Sequence, residues 1–337
     1  MEILFYDNST PLAYDASTSQ TRALGGTEAT VIRIANSLKN NHHIYVAQHC
    51  RATANNTISQ GVHYISLETA HNLKPEVVIL LRQYRLAEEI AKRYPQARRY
   101  LWLHNMPAKD LLVWREALAK HHYHLIAVSH FHRRAIEKRL HGKWYQNIFK
   151  PGFQLKDLPI TVIYNPIDDH LQPDNSIVHP NQLLFMSSPQ KGLTQTLEKF
   201  EAVLKTYPEY QLLIANPGYN MMDIQLPQQA RILGALPHSQ IIQHLRESFC
   251  VFYPQNIRVE TFGLIYAEAN AVGTPVLAHE AGAAREVLSD ENQLVDGRKL
   301  AAILEKLQEW RQRRPQLSGK PEFRLSVVRR AWLDMLQ

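Results

Sequence analysis

The sequence predicts an α/β protein built from two doubly wound parallel-sheet domains. Its 337 residues exceed the usual size of one domain, and its apolar content of 45% can supply two cores. Short apolar runs of strand length alternate with amphipathic helical patterns in both halves. A Pro- and Asp-bearing stretch, residues 165–181, separates the halves and predicts a domain boundary between residues 165 and 166.

Composition narrows the class of protein. Cys50 and Cys250 lie far apart and lack metal-ligand spacing, so we expect a reducing compartment and no metal site. The acidic Glu2 stands where a signal peptide would be basic, and no stretch approaches the ~20 apolar residues of a membrane span. These observations predict a cytoplasmic protein, either free or peripheral on the inner face of the membrane.

The first half begins with an apolar strand, residues 2–6, and a polar stretch from Asp7 to Gln20 that we expect to be flexible. Gly25 and Gly26 then open an amphipathic helix that runs to about Lys39. Such a turn lets the backbone approach a phosphate or a sugar, although a Gly-Gly pair is more often only a loop. The further predicted strands are Ile44–Ala47, Val77–Leu81, Tyr100–Leu103, Leu125–Val128 and Ile160–Tyr164.

The strand Tyr100–Leu103 is followed directly by His104. His104 is therefore expected at the carboxyl edge of the sheet, where ligands of α/β proteins bind. A histidine in this place is more often structural than catalytic, and the sequence leaves both interpretations open.

The second half repeats the pattern. The predicted strands are Leu183–Met186, Gln211–Ala215, Arg231–Leu233, Phe249–Tyr253 and Pro275–Ala278. Helices are predicted at Leu193–Tyr207, from Ser239 onward and at Leu264–Val272, and the tail, residues 321–337, is helical by pattern. Lys191 follows the first of these strands at a turn into a helix, where its charge can neutralise a phosphate.

The most informative stretch is Glu260–Glu268, between a buried strand and a helix. Glu260 is expected on the loop at the carboxyl end of the strand, and Glu268 two turns into the helix on the face that looks back at that loop. Free backbone N–H groups near Phe262 and Gly263 form an anion site at a helix start. N–H groups for a diphosphate and carboxylates for hydroxyls indicate a sugar nucleotide. The alternative is a surface helix with two unrelated glutamates.

Charge is distributed unevenly. Residues 1–165 hold 21 Lys and Arg against 12 Asp and Glu, whereas residues 166–337 hold 17 against 19. Residues 130–150 are basic and interleaved with aromatic side chains, a composition typical of a membrane surface or an anionic glycan partner. The alternative is a solvated helix face. Nucleic acid is not expected, because the sequence has no nucleic-acid-binding motif.

Taken in order, the motifs resemble those of a family 4 glycosyltransferase with the GT-B architecture. The matching pieces are Gly25-Gly26-Thr27-Glu28, Leu101-Trp102-Leu103-His104-Asn105, Ala127-Val128-Ser129, Val162–Asp168, Lys191-Gly192-Leu193, Gly234, Glu260–Glu268, Gly273-Thr274-Pro275-Val276 and Gly282–Glu286. The resemblance implies two Rossmann-like domains facing across a cleft: an acceptor-side domain (1–165) and a donor-side domain (166–320). It also makes 321–337 a candidate to pack back toward the first domain.

The resemblance further implies retaining transfer of a sugar from a UDP- or GDP-sugar to a glycan or lipid-linked acceptor, with no obligatory metal or other cofactor. Glu268 would accept from the donor ribose, and Glu260 would hold sugar hydroxyls near the reacting centre. Lys191 would pair with the diphosphate, and His104 would lie beside the donor sugar. The remaining implied donor contacts are Gly25, Gly26, Ser188, Gly234, Phe262, Gly263 and Leu264.

The chain departs from the family pattern before its lysine. Where the family usually has Gly-Arg, this sequence reads Ser187-Ser188, so the usual arginine on the diphosphate is missing. Ser188 or Arg258 is a candidate to compensate. Two other functions stay open: a sugar-nucleotide epimerase or phosphorylase of the same architecture, and a binder of sugar nucleotides that has lost turnover.

Overall fold

A computed structural model describes residues 1–142, 158–215 and 225–337. Within these ranges the chain divides into two compact units. Unit 1 comprises Met1–Ser17, Thr27–Pro166 and Leu325–Gln337. Unit 2 comprises Thr18–Gly26 and Ile167–Arg324.

Unit 1 is built on an eight-stranded sheet. Its strands are β1 (Glu2–Asp7), β2 (His43–Gln48), β3 (Thr57–Ser59), β4 (Val62–Ser66), β5 (Val77–Leu81), β6 (Arg98–Trp102), β7 (Tyr123–Ala127) and β8 (Ile160–Val162). The order across the sheet is β3-β4-β2-β1-β5-β6-β7-β8, and every neighbouring pair is parallel except β3 and β4. β1 and β5 lie at the centre, and their apolar runs are buried because both faces of a parallel sheet are covered.

Unit 2 is built on a six-stranded parallel sheet. Its strands are β9 (His179–Met186), β10 (Gln211–Ala215), β11 (Ala230–Gly234), β12 (Ser248–Tyr253), β13 (Val276–His279) and β14 (Leu294–Val295). The order across the sheet is β11-β10-β9-β12-β13-β14. All six residues of β12 are buried, which matches the apolar run read from the sequence.

Helices connect the strands in both units. The described α-helices are α1 (Thr18–Thr21), α2 (Gly26–Leu38), α3 (Leu67–Ala70), α4 (Ala87–Arg93), α5 (Leu111–Lys120), α6 (His130–His141), α7 (Leu193–Leu204), α8 (His238–Glu247), α9 (Leu264–Ala271), α10 (Ala284–Val287), α11 (Leu300–Gln312) and α12 (Leu325–Leu336). The Ser129 side chain caps α6 by accepting from the His132 N–H at 2.9 Å. The alternation of strand and helix confirms the predicted fold class of two doubly wound parallel-sheet units.

The terminal helix α12 belongs to unit 1. The Trp332 ring packs against Trp102 and Phe5, with centroids 4.7 and 6.1 Å away, and Tyr100 donates a hydrogen bond to the Met335 carbonyl at 3.1 Å. The three preceding residues, Pro321–Phe323, lie in a 3₁₀ turn of unit 2. The Phe323 carbonyl accepts from the Ile167 N–H at 2.8 Å.

Several sequence expectations differ from the structure. The short strands β3 and β4 were not predicted. The stretch after β1, expected to be polar and flexible, buries Thr10, Tyr14 and Ala16 and contains helix α1. Residues 18–26 group with unit 2, since α1 contacts α8. Helix α9 begins at Leu264, so Glu268 lies only one turn inside it rather than two.

Candidate active site

The sheet of unit 2 has a topological switch point between β9 and β12. From β9 the chain moves outward through β10 and β11, and it then returns to β12 on the other side of β9. Connections therefore leave the two carboxyl ends, at Met186 and Tyr253, in opposite directions. This opens a crevice where ligands of doubly wound sheets bind.

Glu260 lies at this switch point in contact with two partners. Lys191 Nζ approaches the Glu260 carboxylate oxygens at 3.0 and 2.9 Å. The Tyr253 hydroxyl donates to Glu260 Oε1 at 3.0 Å. The Glu260 side chain is only 9% exposed, whereas the Lys191 side chain is 49% exposed. The buried Glu260 carboxylate is thus paired with a lysine whose side chain is half exposed to solvent.

The loop that carries Glu260 is held by hydrogen bonds within the loop and by contacts with Gly282 and Ala283. The Gln255 side chain accepts from the backbone N–H groups of Ile257 and Arg258 at 3.1 and 2.9 Å. The Ala283 N–H donates to the Glu260 carbonyl at 3.0 Å. A Cβ on Gly282 would lie 2.6 Å from that same carbonyl oxygen, so this close approach requires glycine.

Helix α9 begins one residue after Gly263, whose φ of +85° turns the chain into the helix. The first N–H groups of a helix give this end a partial positive charge, and here the Tyr266 N–H already donates to the Gly263 carbonyl at 2.9 Å. Phe262 is 1% exposed, with its ring 5.1 Å from Phe323. Its side chain is therefore part of the interior of unit 2.

Glu268 is buried on α9 and interacts with a histidine that the sequence analysis missed. His238 Nε2 lies 2.9 Å from Glu268 Oε1, and Glu268 as a residue is 3% exposed. His238 is the first residue of α8, directly after Pro237. The sequence did contain a signal for His238, because it follows Pro237 at a predicted helix start, four residues after Gly234. A polar side chain at a helix start can reach a neighbouring loop or helix.

The other predicted donor contacts have separate positions in unit 2. Gly234 ends β11 with φ +79°, and a Cβ there would meet no atom within 4 Å. The Ser188 carbonyl accepts from the Lys191 N–H at 2.8 Å and so closes the turn Pro189–Lys191. Arg258 is exposed. Gly25 and Gly26 lie in the segment that groups with unit 2. Gly26 is the first residue of α2, and Gly25 directly precedes it.

His104 lies in unit 1, one residue past Leu103, and is buried. Its ring is 4.5 Å from Trp102. Burial, followed by the nearby Arg82 and His132, holds the pKa of His104 well below its usual range, so the ring is neutral. A neutral ring can donate from one nitrogen and accept at the other.

Asp7 and Arg82, which the sequence analysis did not single out, form an ion pair at the switch point of unit 1, between β1 and β5. Arg82 donates to Asp7 Oδ1 at 2.9 Å, and the Tyr14 hydroxyl donates to Asp7 Oδ2 at 3.0 Å. Arg82 has φ +64°, a left-handed conformation that is uncommon for a residue with a Cβ. Asp7 follows an apolar run directly, and this was the signal in the sequence.

No group of three or more His, Cys, Asp or Glu side chains is arranged to hold a metal ion in residues 1–142, 158–215 and 225–337. None of the described helices is long and apolar enough to span a membrane.

The geometry of unit 2 defines a class of ligand. It combines an exposed lysine, a helix start and two buried carboxylates at one sheet edge. Positive groups of this kind bind phosphate oxygens, and the carboxylates accept from hydroxyls. Such groups suit a ligand that carries both phosphate and hydroxyl groups.

Comparison with known proteins gives a family match in the second half of the chain. Residues 171–318 match the family model described as "Glycosyl transferases group 1". The matched residues lie within unit 2 and make up less than half of the chain, and the match agrees with the resemblance read from the motifs.

Curated relatives match over a shorter stretch. A phosphatidyl-myo-inositol mannosyltransferase of Mycobacterium leprae is 35% identical over 109 residues, which are 30% of this chain and 28% of that protein. A GDP-mannose-dependent monoacylated alpha-(1-6)-phosphatidylinositol monomannoside mannosyltransferase of Corynebacterium glutamicum is 29% identical over 130 residues, 34% of each chain. The match thus spans about a third of these relatives.

Solved structures share the fold across the whole chain. A sucrose-phosphate synthase from Thermosynechococcus elongatus aligns with a TM-score of 0.71 at 14% identity, covering 99% of this chain and 98% of that one. An α,α-trehalose-phosphate synthase from Burkholderia xenovorans aligns with a TM-score of 0.65 at 12% identity, covering 100% of both chains. At these identities the likeness establishes the fold alone, and it supports the predicted GT-B fold class.

Proposed function

We propose that the protein is a retaining glycosyltransferase that moves a sugar from a nucleoside diphosphate sugar to an acceptor hydroxyl. The observation that carries this proposal is the contact of Glu260 with Lys191 and Tyr253 at the switch point of unit 2, on the loop that leads into α9. That loop lies inside the segment that matches the group 1 glycosyltransferases.

In the proposed donor complex, the carboxylates contact hydroxyl groups of the donor, and the N–H groups and the lysine contact its diphosphate. Glu268 accepts from the ribose hydroxyls, and the backbone N–H groups of Phe262, Gly263 and Leu264 meet the sugar and the diphosphate. Lys191 turns from Glu260 to the diphosphate. Glu260 then accepts from sugar hydroxyls next to the carbon that reacts.

The proposed reaction exchanges one bond to the anomeric carbon for another on the same face of the sugar. The bond from that carbon to the phosphate oxygen breaks, and a bond to the acceptor oxygen forms. Lys191 stabilises the negative charge that develops on the leaving diphosphate. The acceptor proton passes to the departing phosphate oxygen, so no protein side chain is needed as a general base.

Several contacts remain proposals that rest on the resemblance alone. His104 would lie beside the donor sugar, Gly26 would allow close approach to the donor phosphate, and Gly234 would contact the base through its backbone. Ser188 is proposed as a diphosphate contact, with its hydroxyl replacing the missing arginine.

UDP- and GDP-sugars are both proposed donors, and no metal or other cofactor is required in this scheme. GDP-mannose is the first donor to test, because the name of the corynebacterial relative specifies it. A phosphatidylinositol-type glycolipid is the corresponding acceptor, since the names of both relatives include that lipid. A glycan acceptor is the alternative.

We also propose that the protein works at the inner face of an anionic membrane through the basic residues of 130–150. Arg133, Arg134 and Lys138 are exposed on α6. Lys143, Trp144, Tyr145, Phe149 and Lys150 lie outside the described residues. Sedimentation with anionic vesicles tests this proposal.

The experiment that tests the function is a transfer assay with radiolabelled GDP-mannose, UDP-glucose and UDP-N-acetylglucosamine, offered with phosphatidylinositol vesicles or with soluble glycosides. We expect product from one nucleotide class in the presence of EDTA, with the anomeric configuration of the donor retained. Glu260→Gln is the inactive control.

Two other outcomes would identify the alternatives. Conversion of the free sugar nucleotide without any acceptor indicates an epimerase. A rise in melting temperature with UDP or GDP, but no product from any donor and acceptor pair, indicates a binder without turnover. Either result contradicts the proposed transfer.

A further inference from the structure

We propose that Tyr253 is the positioning residue that holds the Glu260 carboxylate in its reactive orientation when Lys191 transfers to the donor diphosphate. This inference rests on the proposed function, because it assigns Glu260 to the sugar and Lys191 to the diphosphate. It adds a residue that does not itself touch the donor in this scheme.

The two partners of Glu260 differ in how firmly the fold holds them. Tyr253 is the last residue of β12, which pairs with β9 on one side and β13 on the other, and the tyrosine is 0% exposed. Lys191 ends a three-residue 3₁₀ turn, and its long side chain is half exposed. The hydroxyl is therefore fixed by the sheet, whereas the ammonium group can rotate toward another anion.

The two carboxylate oxygens of Glu260 have different hydrogen-bond donors. Oε1 accepts from the Tyr253 hydroxyl and from Lys191 Nζ, both at 3.0 Å, whereas Oε2 faces Lys191 Nζ at 2.9 Å. When Lys191 moves to the diphosphate, Oε1 keeps its tyrosine donor. Oε2 is then the oxygen offered to a sugar hydroxyl.

Tyr253 remains a donor throughout the working pH range. Burial, followed by the charge of Glu260, raises the pKa of Tyr253 well above its usual value. Its hydroxyl proton goes to Glu260 at 3.0 Å in preference to the Lys191 carbonyl at 3.3 Å, because a bond to a carboxylate is stronger than one to a neutral oxygen.

The test is Tyr253→Phe, which removes the hydroxyl and keeps the ring. Dissociation constants for the nucleoside diphosphate and for the intact sugar nucleotide are measured by calorimetry, together with kcat. We expect the diphosphate to bind within about twofold of wild type. The kcat should fall about 10- to 100-fold, the scale of one hydrogen bond to a charged group.

A further variant controls the experiment. Tyr210→Phe removes another fully buried tyrosine hydroxyl in unit 2, just before the amino end of β10, and we expect no change in kcat.

The outcomes separate the inference from the function. A Tyr253→Phe protein with wild-type kcat overturns the inference, and so does equal weakening of diphosphate and sugar nucleotide, which indicates a purely structural tyrosine. If the wild type itself transfers no sugar, the proposed function fails. The ratio of the two dissociation constants in Tyr253→Phe then decides whether Tyr253 orients Glu260 toward the sugar.

Discussion

The two units place an ion pair at the same topological position and bury it to different depths. In unit 1, Asp7 ends β1 and Arg82 follows β5, with side chains 0% and 15% exposed. In unit 2, Lys191 and Glu260 follow β9 and β12, with side chains 49% and 9% exposed. Each of these two ion pairs thus has one deeply buried carboxylate, and the pairs differ mainly in the exposure of the cation.

This difference indicates different roles for the two pairs. Asp7 also accepts from the Tyr14 hydroxyl and from the Ser9 backbone N–H, so its oxygens are bound within unit 1. The left-handed conformation of Arg82 costs on the order of 1–3 kcal/mol, and it persists because the arginine compensates a buried charge. Lys191 has no comparable burial. Its bond to Glu260 can be exchanged for a bond to a ligand.

Arg82→Met should have the largest effect on stability. It leaves the Asp7 carboxylate buried without its cation, which costs about 3–5 kcal/mol. The measurement is urea unfolding followed by tryptophan fluorescence, since Trp102 and Trp332 lie in unit 1. The double variant Asp7→Asn/Arg82→Met should recover part of the loss. A single variant as stable as wild type would show that the Asp7–Arg82 pair is dispensable.

Lys191→Met should change the free energy of unfolding by less than about 1 kcal/mol, because a half-exposed cation contributes little to stability. It should instead lower kcat/KM for sugar transfer by about 10²- to 10³-fold, since the leaving diphosphate loses a charged partner. Lys205→Met, an exposed lysine of unit 2, is the matched control. Strong destabilisation without loss of transfer would reverse the contrast between the two ion pairs.

Charge reversal on α6 should have the smallest effect on stability. Changing Arg133, Arg134 and Lys138 to Glu alters exposed side chains, so unfolding should shift by about 0.5 kcal/mol or less. Sedimentation with anionic vesicles should be lost, and added salt should weaken it in the wild type. Changing Lys205, Lys299 and Arg313 of unit 2 to Glu is the control for net charge. Equal binding by both triple variants and wild type would contradict the membrane proposal.

Sequence patterns located most of the strands, because a strand of a parallel sheet is buried on both faces and forms a continuous apolar run. Val77–Leu81 and Gln211–Ala215 agree with the structure to the residue. The antiparallel pair β3 and β4 was missed, since Thr57–Ser59 is short and only partly buried.

The candidate site was predicted less completely than the fold. Lys191, Glu260 and Glu268 were singled out because charged residues after buried strands or near a helix start are conspicuous. His238 and Tyr253 were not. A buried tyrosine needs a partner for its hydroxyl, but the sequence does not say which of several distant side chains supplies it.

The sequence by itself determined the two doubly wound units and the order of their motifs, because apolar period and loop composition are local properties. Only the tertiary structure decided that Tyr253 and Lys191 share one carboxylate, that His238 meets Glu268, and that Asp7 is neutralised by Arg82. These contacts join residues 7 to 75 positions apart. They depend on which strand ends become neighbours in the sheet, and strand order is set by packing of the whole chain.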